Sequence, residues 1–86
     1  MLFCVYLIES VQDKSWYIVY TKNLKVRLKQ HNSDLNSSYT RKKRPWNLIY
    51  CEFYRNSKDA RNREKFLKSC AGRIFLKKQI KNYLNS

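Results

Sequence analysis

The stretch FCVYLIESVQDKSWYIVYTKNLKVRLKQH, residues 3–31, decides the fold. Two segments rich in aromatic and β-branched residues, 2–9 (LFCVYLIE) and 16–21 (WYIVYT), enclose the polar tip SVQDKS, a pattern that predicts a β-hairpin. Strand side chains alternate between faces, so an even loop lines up Phe3, Val5 and Leu7 with Trp16, Ile18 and Tyr20, the expected core face. Cys4, Tyr6 and Ile8 then fall beside Tyr17, Val19 and Thr21 on a more polar side that holds both tyrosines. From Asn23 to about Asn32, a capping residue, Leu24 and Leu28 at helical spacing and a polar close predict a short helix. Arg27 and His31 are i, i+4 neighbours beside the leucine ridge, which puts both at the edge of the buried face.

Beyond this unit, residues 33–45 lack hydrophobic periodicity and carry four consecutive basic residues, Arg41, Lys42, Lys43 and Arg44, ahead of the only proline, Pro45. A flexible basic loop is expected there. Residues 46–54 (WNLIYCEFY) read as a third strand whose bulk suggests burial on both faces or a central position. Ser57 is placed to cap a second helix running to about Ser69 and Gly72 to end it, with a third helix over about 73–84 marked by Leu76, Ile80, Tyr83 and Leu84. The expected class is α+β: a small three-stranded antiparallel-type sheet flanked by three helices, in the order β-β-α-β-α-α, forming a single domain over 1–86.

Composition narrows the function. The 86 residues are 43% hydrophobic with two Trp, seven Tyr and four Phe, enough for a packed core. Nineteen Lys and Arg against six Asp and Glu give a net charge of +13, which points to a polyanionic partner, nucleic acid first. A membrane partner is not expected, because the charge runs through several segments and spares no broad apolar helix face. Neither a signal peptide nor a membrane span is expected at the start, MLFCVYLIES, which has no basic leader and meets Glu9 early. Cys4, Cys51 and Cys70 lack zinc-ligand spacing and read as reduced core thiols of a cytoplasmic protein.

Glu64 is the last acid of the chain, bordering an apolar strip of Ala60, Leu67 and Ala71 on the second helix. Its neighbours Arg61, Arg63, Lys65 and Lys68 also suit a structural ion pair. A strand tyrosine is ordinarily a packing residue, and an arginine on a basic helix is ordinarily solvated or on a phosphate. Each residue taken singly leaves both readings open.

Together their order resembles a family. VYLIES with ten residues between Tyr6 and Tyr17, then YIV, LKVRLKQHN and AxxREKFLKS…GRIFLKKQ, resembles the GIY-YIG endonuclease superfamily, in particular its small single-domain bacterial-type members, over about residues 2–80. YTRKKRPWNLIYCEFY resembles the segment that such members carry between the catalytic arginine and glutamate. Two departures stand out: Cys4 and Val19 occupy the positions of motif glycines, and a side chain at Val19 is expected to crowd a surface approached by phosphate.

The resemblance implies a metal-dependent endonuclease that hydrolyses phosphodiester bonds in DNA with low intrinsic sequence specificity, in settings such as DNA repair. RNA and a targeting protein remain open as partners, and a catalytically degenerate nucleic-acid-binding module on the same fold is the alternative. Carried over, the motif tyrosines fall on Tyr6 and Tyr17, the helix arginine on Arg27, the histidine on His31 and the metal-binding glutamate on Glu64. Glu64 would hold Mg²⁺, or Mn²⁺ in its place, as the lone protein ligand. Arg27 would brace the phosphoryl oxygens, and Tyr17 would orient or deprotonate water, with Tyr6 and His31 in the same network. His31 as the base, with both phenols only positioning, is the other assignment. Tyr20, Arg41, Lys42, Lys43 and Arg44 would contact nucleic acid, helped by the basic third helix, and Asn82 is a candidate for a late motif asparagine.

Overall fold

In a computed structural model, which describes residues 1–33 and 42–86, the alternating segments form β1 (Phe3–Ser10) and β2 (Trp16–Thr21). They pair antiparallel from Cys4↔Thr21 to Glu9↔Trp16, a register that the alternation left conditional on an even loop and that puts Val5 and Leu7 opposite Tyr20 and Ile18. The turn is closed by the Ser10 amide donating to the Ser15 carbonyl at 2.9 Å, and Lys14 takes a left-handed φ of 63° there. Helix α1 (Leu24–His31) follows, then β3 (Trp46–Tyr54), α2 (Ser57–Leu67), α3 (Cys70–Gln79) and α4 (Lys81–Leu84). The class is α+β as expected, with the predicted third helix divided in two at Ile80. Among the described residues no helix is long and apolar enough to cross a membrane.

The sheet order β2-β1-β3 makes β1 the central strand and β3 an edge, contrary to the expectation for β3. Aromatic bulk misled there: β3 leaves Leu48 39% and Phe53 52% exposed, whereas β1 is buried along almost its whole length. Both faces of the hairpin are core. Val5, Leu7 and Ile18 pack under Ala60 and Leu67 of α2 and Leu76 of α3. On the other face Cys4, Tyr6, Ile8, Val19 and Trp46 are buried with Leu24 and Leu28 of α1 packed on them. The tyrosine side is therefore not the polar side. An α1 ridge of two leucines is enough to roof it.

Local capping explains the helix boundaries. Asn56, not Ser57, caps α2 by accepting from the Lys58 amide at 2.8 Å. Ser69 caps α3 by accepting from the Gly72 amide at 3.1 Å, so the second helix ends at Leu67, before Ala71. Gly72 lies inside α3 and is needed for close approach: a Cβ there would stand 1.9 Å from the Phe66 carbonyl oxygen. Across the α2 face, Glu52 of β3 receives Arg63 of α2 in a two-pronged pair, Nε at 2.9 Å and Nη2 at 3.0 Å, together with the Tyr50 and Tyr54 hydroxyls. Burial opposes its charge, yet these donors hold the Glu52 carboxyl below its usual range. This cluster fixes α2 against the sheet. The cysteines are unpaired, but only Cys4 is a core thiol; Cys51 is half-buried and Cys70 exposed.

Candidate active site

β2 passes into α1 through only Lys22 and Asn23, and Thr21 Oγ1 accepts from the Asn23 amide at 3.1 Å while Asn23 Oδ1 accepts from the Val26 amide at 3.2 Å. This tight junction sets Arg27 in the first turn of α1 and His31 at its end. The far end is clamped by Asn32: its Oδ1 accepts from the Trp46 amide at 2.7 Å and its Nδ2 donates to the Trp46 carbonyl at 3.3 Å. The side chain imitates a strand partner and ties the helix terminus to the start of β3. Sequence reasoning took Asn32 only as a polar close, since nothing local to it announces a partner fourteen residues away.

His31 and Tyr6 are both 0% exposed, and the Tyr6 hydroxyl is hydrogen-bonded to His31 Nε2 at 2.6 Å. Tyr17 meets the imidazole edge-on, ring centroids 5.9 Å apart at 89°, and its ring also packs on Trp46 at 6.1 Å. Burial, assisted by the Arg27 charge, lowers the His31 pKa to about 4; burial also pushes the Tyr6 phenol well above its usual range, with Arg27 pulling the other way. Both side chains of the hydrogen bond are thus neutral at pH 7. Tyr17 and Arg27 are half-buried and reach solvent, so they are the members able to touch a substrate directly. Among the described residues the polar partner of the Arg27 guanidinium is Gln30, at a long 3.4 Å, which leaves its donors available to an anion.

The neutral His31 has a stability signature. The unfolded chain takes up a proton there near pH 6.5, whereas the folded chain resists until about pH 4. The unfolded state binds more protons across that window, so stability is complete above it and falls as pH drops through it, by up to about 3 kcal/mol. Chemical denaturation at stepped pH is expected to show this loss in the native chain and a flattened profile over the same window in His31→Gln. Glu52 and Asp13, both held below the usual carboxylate range, add their losses at lower pH.

Glu64 stands elsewhere. It lies on α2, the helix that packs on the opposite sheet face, with its side chain 18% exposed and ion-paired to Lys68 at 3.0 Å. Together with Arg61, Lys65 and Lys68 it lines a depression of about 370 Å³. Among the described residues no hydrogen bond or ion pair joins it to Tyr6, Tyr17, Arg27 or His31. Convergence over one sheet face is therefore corrected: α1 and α2 cover opposite faces of the sheet. Tyr20, on the outer strand β2, is on the α2 side, stacked on Phe3 and covered by the Arg61 guanidinium at 4.1 Å.

The described part of the basic loop is not free. Lys43 pairs with Asp13 at 3.2 Å, its carbonyl accepts from Ser10 Oγ at 2.6 Å, and the Arg44 carbonyl accepts from Gln12 Nε2 at 2.6 Å, which fastens this segment to the hairpin tip. Lys42 is exposed, and Arg41 lies outside the described residues. Asn82 is exposed on α4. Val19 points inward, buried beside Tyr6 and Trp46, and so does not crowd the surface as expected.

For a divalent metal the donor set is decisive. Among the described residues no three His, Cys, Asp or Glu side chains gather, which does not suit a closed site of the zinc type. A single carboxylate, Glu64, half-buried and with its Oε2 on Lys68, would suit Mg²⁺ through its other oxygen, since Mg²⁺ keeps most of its waters and completes its shell with substrate phosphate.

Residues 2–79 match the family model for the GIY-YIG catalytic domain. The chain is 39% identical over 64 residues to UPF0213 protein CPE1444 of Clostridium perfringens, covering 74% of this chain and 68% of the relative. It is 45% identical over 58 residues to a UPF0213 protein of Pediococcus acidilactici, covering 65% and 59%, and 33% identical over 63 residues to UPF0213 protein YazA of Bacillus subtilis, covering 73% and 64%. It thus spans less than two thirds of the length of the last two. The solution NMR structure of UPF0213 protein BH0048 from Bacillus halodurans superposes with a TM-score of 0.55 at 31% identity, covering 88% of this chain and 82% of that one. By the matched domain, the relatives and the shared fold, the chain belongs to the GIY-YIG family of nucleases, in its small bacterial UPF0213 branch.

Proposed function

We propose that the chain is a Mg²⁺-dependent endonuclease that hydrolyses phosphodiester bonds in DNA with little sequence preference. The observation that carries this is the pairing of a half-buried arginine without an acid partner among the described residues, Arg27, with Tyr17 held edge-on by a neutral Tyr6–His31 pair. Arg27, charged at every working pH, takes up the negative charge that builds on the phosphoryl oxygens. Tyr17 orients the attacking water, whose oxygen bonds to phosphorus as its proton passes to solvent and the leaving oxygen departs with a proton from solvent. Tyr6 and His31 are positioning residues, since burial keeps them from the phosphate. Glu64, on the opposite sheet face and paired with Lys68, would hold the Mg²⁺, which supplies Lewis-acid stabilisation of phosphoryl charge when bound, and the Glu64→Ala nicking assay decides whether it acts at the phosphate met by Arg27.

A second reading, a binding module without catalysis, is favoured by Glu64 being tied to Lys68. Supercoiled plasmid incubated with the protein in Mg²⁺ or in EDTA separates the two. Nicking in Mg²⁺ that disappears in EDTA and in Glu64→Ala is the expected result. Retention of plasmid without nicking in either Mg²⁺ or Mn²⁺ refutes the enzyme.

A further inference from the structure

On α2 the residues Lys58, Arg61, Lys65 and Lys68 recur at spacings of three and four and are all exposed, which makes one basic ridge. Like charges at these spacings work against a helix, and the acids nearby relieve little: Glu64 is committed to Lys68. Among the described residues Arg61 has no acid partner. Its guanidinium is instead laid over the Tyr20 ring at 4.1 Å, on the outer strand β2. A stacked guanidinium is already ordered, and its donor fork is directed outward in the plane of the stack. The depression it lines with Glu64, Lys65 and Lys68 carries three cations against one carboxylate, an excess of two positive charges.

We propose that this depression is a phosphate-binding subsite in which Arg61, preset by Tyr20, holds a backbone phosphate of the nucleic acid a few nucleotides from the one that is cleaved. The inference rests on the nucleic-acid reading above. It assigns the backbone track to the α2 ridge, in place of the basic loop, whose Lys43 is paired with Asp13. Tyr17 lies three residues before Tyr20 on β2, about 10 Å along the strand, within the span of a few nucleotides at about 3.4 Å of rise each.

Fluorescence anisotropy of a labelled short DNA duplex, titrated in EDTA across a salt series, tests the subsite independently of cleavage. Arg61→Ala is expected to reduce the slope of log affinity against log salt by about 0.9, the share of one phosphate, and to weaken binding by about tenfold at low salt. Tyr20→Phe keeps the stack and is expected to bind like the native chain, whereas Tyr20→Leu loses affinity with the slope retained. Arg55→Ala removes an exposed charge just after β3, outside the depression, and is expected to change affinity less than about twofold. Equal losses for Arg61→Ala and Arg55→Ala, or none for Arg61→Ala, overturn the subsite while leaving nucleic-acid binding intact. A native chain with no salt-dependent binding overturns both the subsite and the proposed function. Circular dichroism of each variant separates lost binding from lost folding.

Discussion

Arg27→Ala is expected to lower the proposed Mg²⁺-dependent plasmid nicking by about a thousandfold in single-turnover assays, the scale on which removal of a charge-stabilising donor or arginine slows acyl and phosphoryl transfer. Among the described residues the side chain makes one long hydrogen bond, to Gln30, so its removal costs that part of the fold little. Arg27→Lys recovers only part of the rate, because an ammonium keeps the charge and loses the planar fork. The substitution has a second readout: the Arg27 charge helps to keep His31 deprotonated, so its removal raises the histidine's proton affinity, which NMR titration of the imidazole detects. A nicking rate within tenfold of the native chain would mean that the charge acts elsewhere. Circular dichroism confirms that the comparison is between folded proteins.

Gly72→Ala is the largest expected effect on stability. In an unconstrained helix interior this exchange stabilises by about 1 kcal/mol. Here the sign reverses, since the new Cβ would lie 1.9 Å from the Phe66 carbonyl oxygen and 2.5 Å from the Leu67 Cα, both backbone atoms with no rotamer to yield. The first turn of α3 must move off the end of α2, which breaks the Ser69 cap and unseats Leu76 from the core. A cost of about 3 kcal/mol or more follows, a fall of roughly 15 °C in Tm for a domain of this size. Thermal melts followed by circular dichroism check it, and an unchanged or raised Tm would contradict the tight α2–α3 corner.

The hairpin and α1 were legible because strand alternation and a capped leucine ridge are local signals, whereas the register depended on the loop's residue count, which alternation does not set. Identity of sheet neighbours was not legible, because β3 carries aromatic bulk while its edge position depends on which strand pairs with β1 from outside. The second helix was extended past Leu67 because Ser69 and Gly72 look alike as a stop or a start; only the approach of Gly72 to Phe66 distinguishes them. In the site, the i, i+4 placement of Arg27 and His31 located the cluster with both tyrosines, since β2 and α1 are joined by two residues. The side of the sheet on which Glu64 lies is a property of the β3–α2 crossover, invisible to spacing along α2.

β1 sits between a partner that follows it directly and one far along the chain, with Phe3 facing Tyr54. During synthesis the first pairing can close while the ribosome still holds the third strand, leaving one flank of an apolar, β-prone segment unsatisfied until residues 46–54 emerge. That interval is when two nascent copies would join each other by mistake, and shortening it is what a slower-to-aggregate variant of this protein would have to achieve.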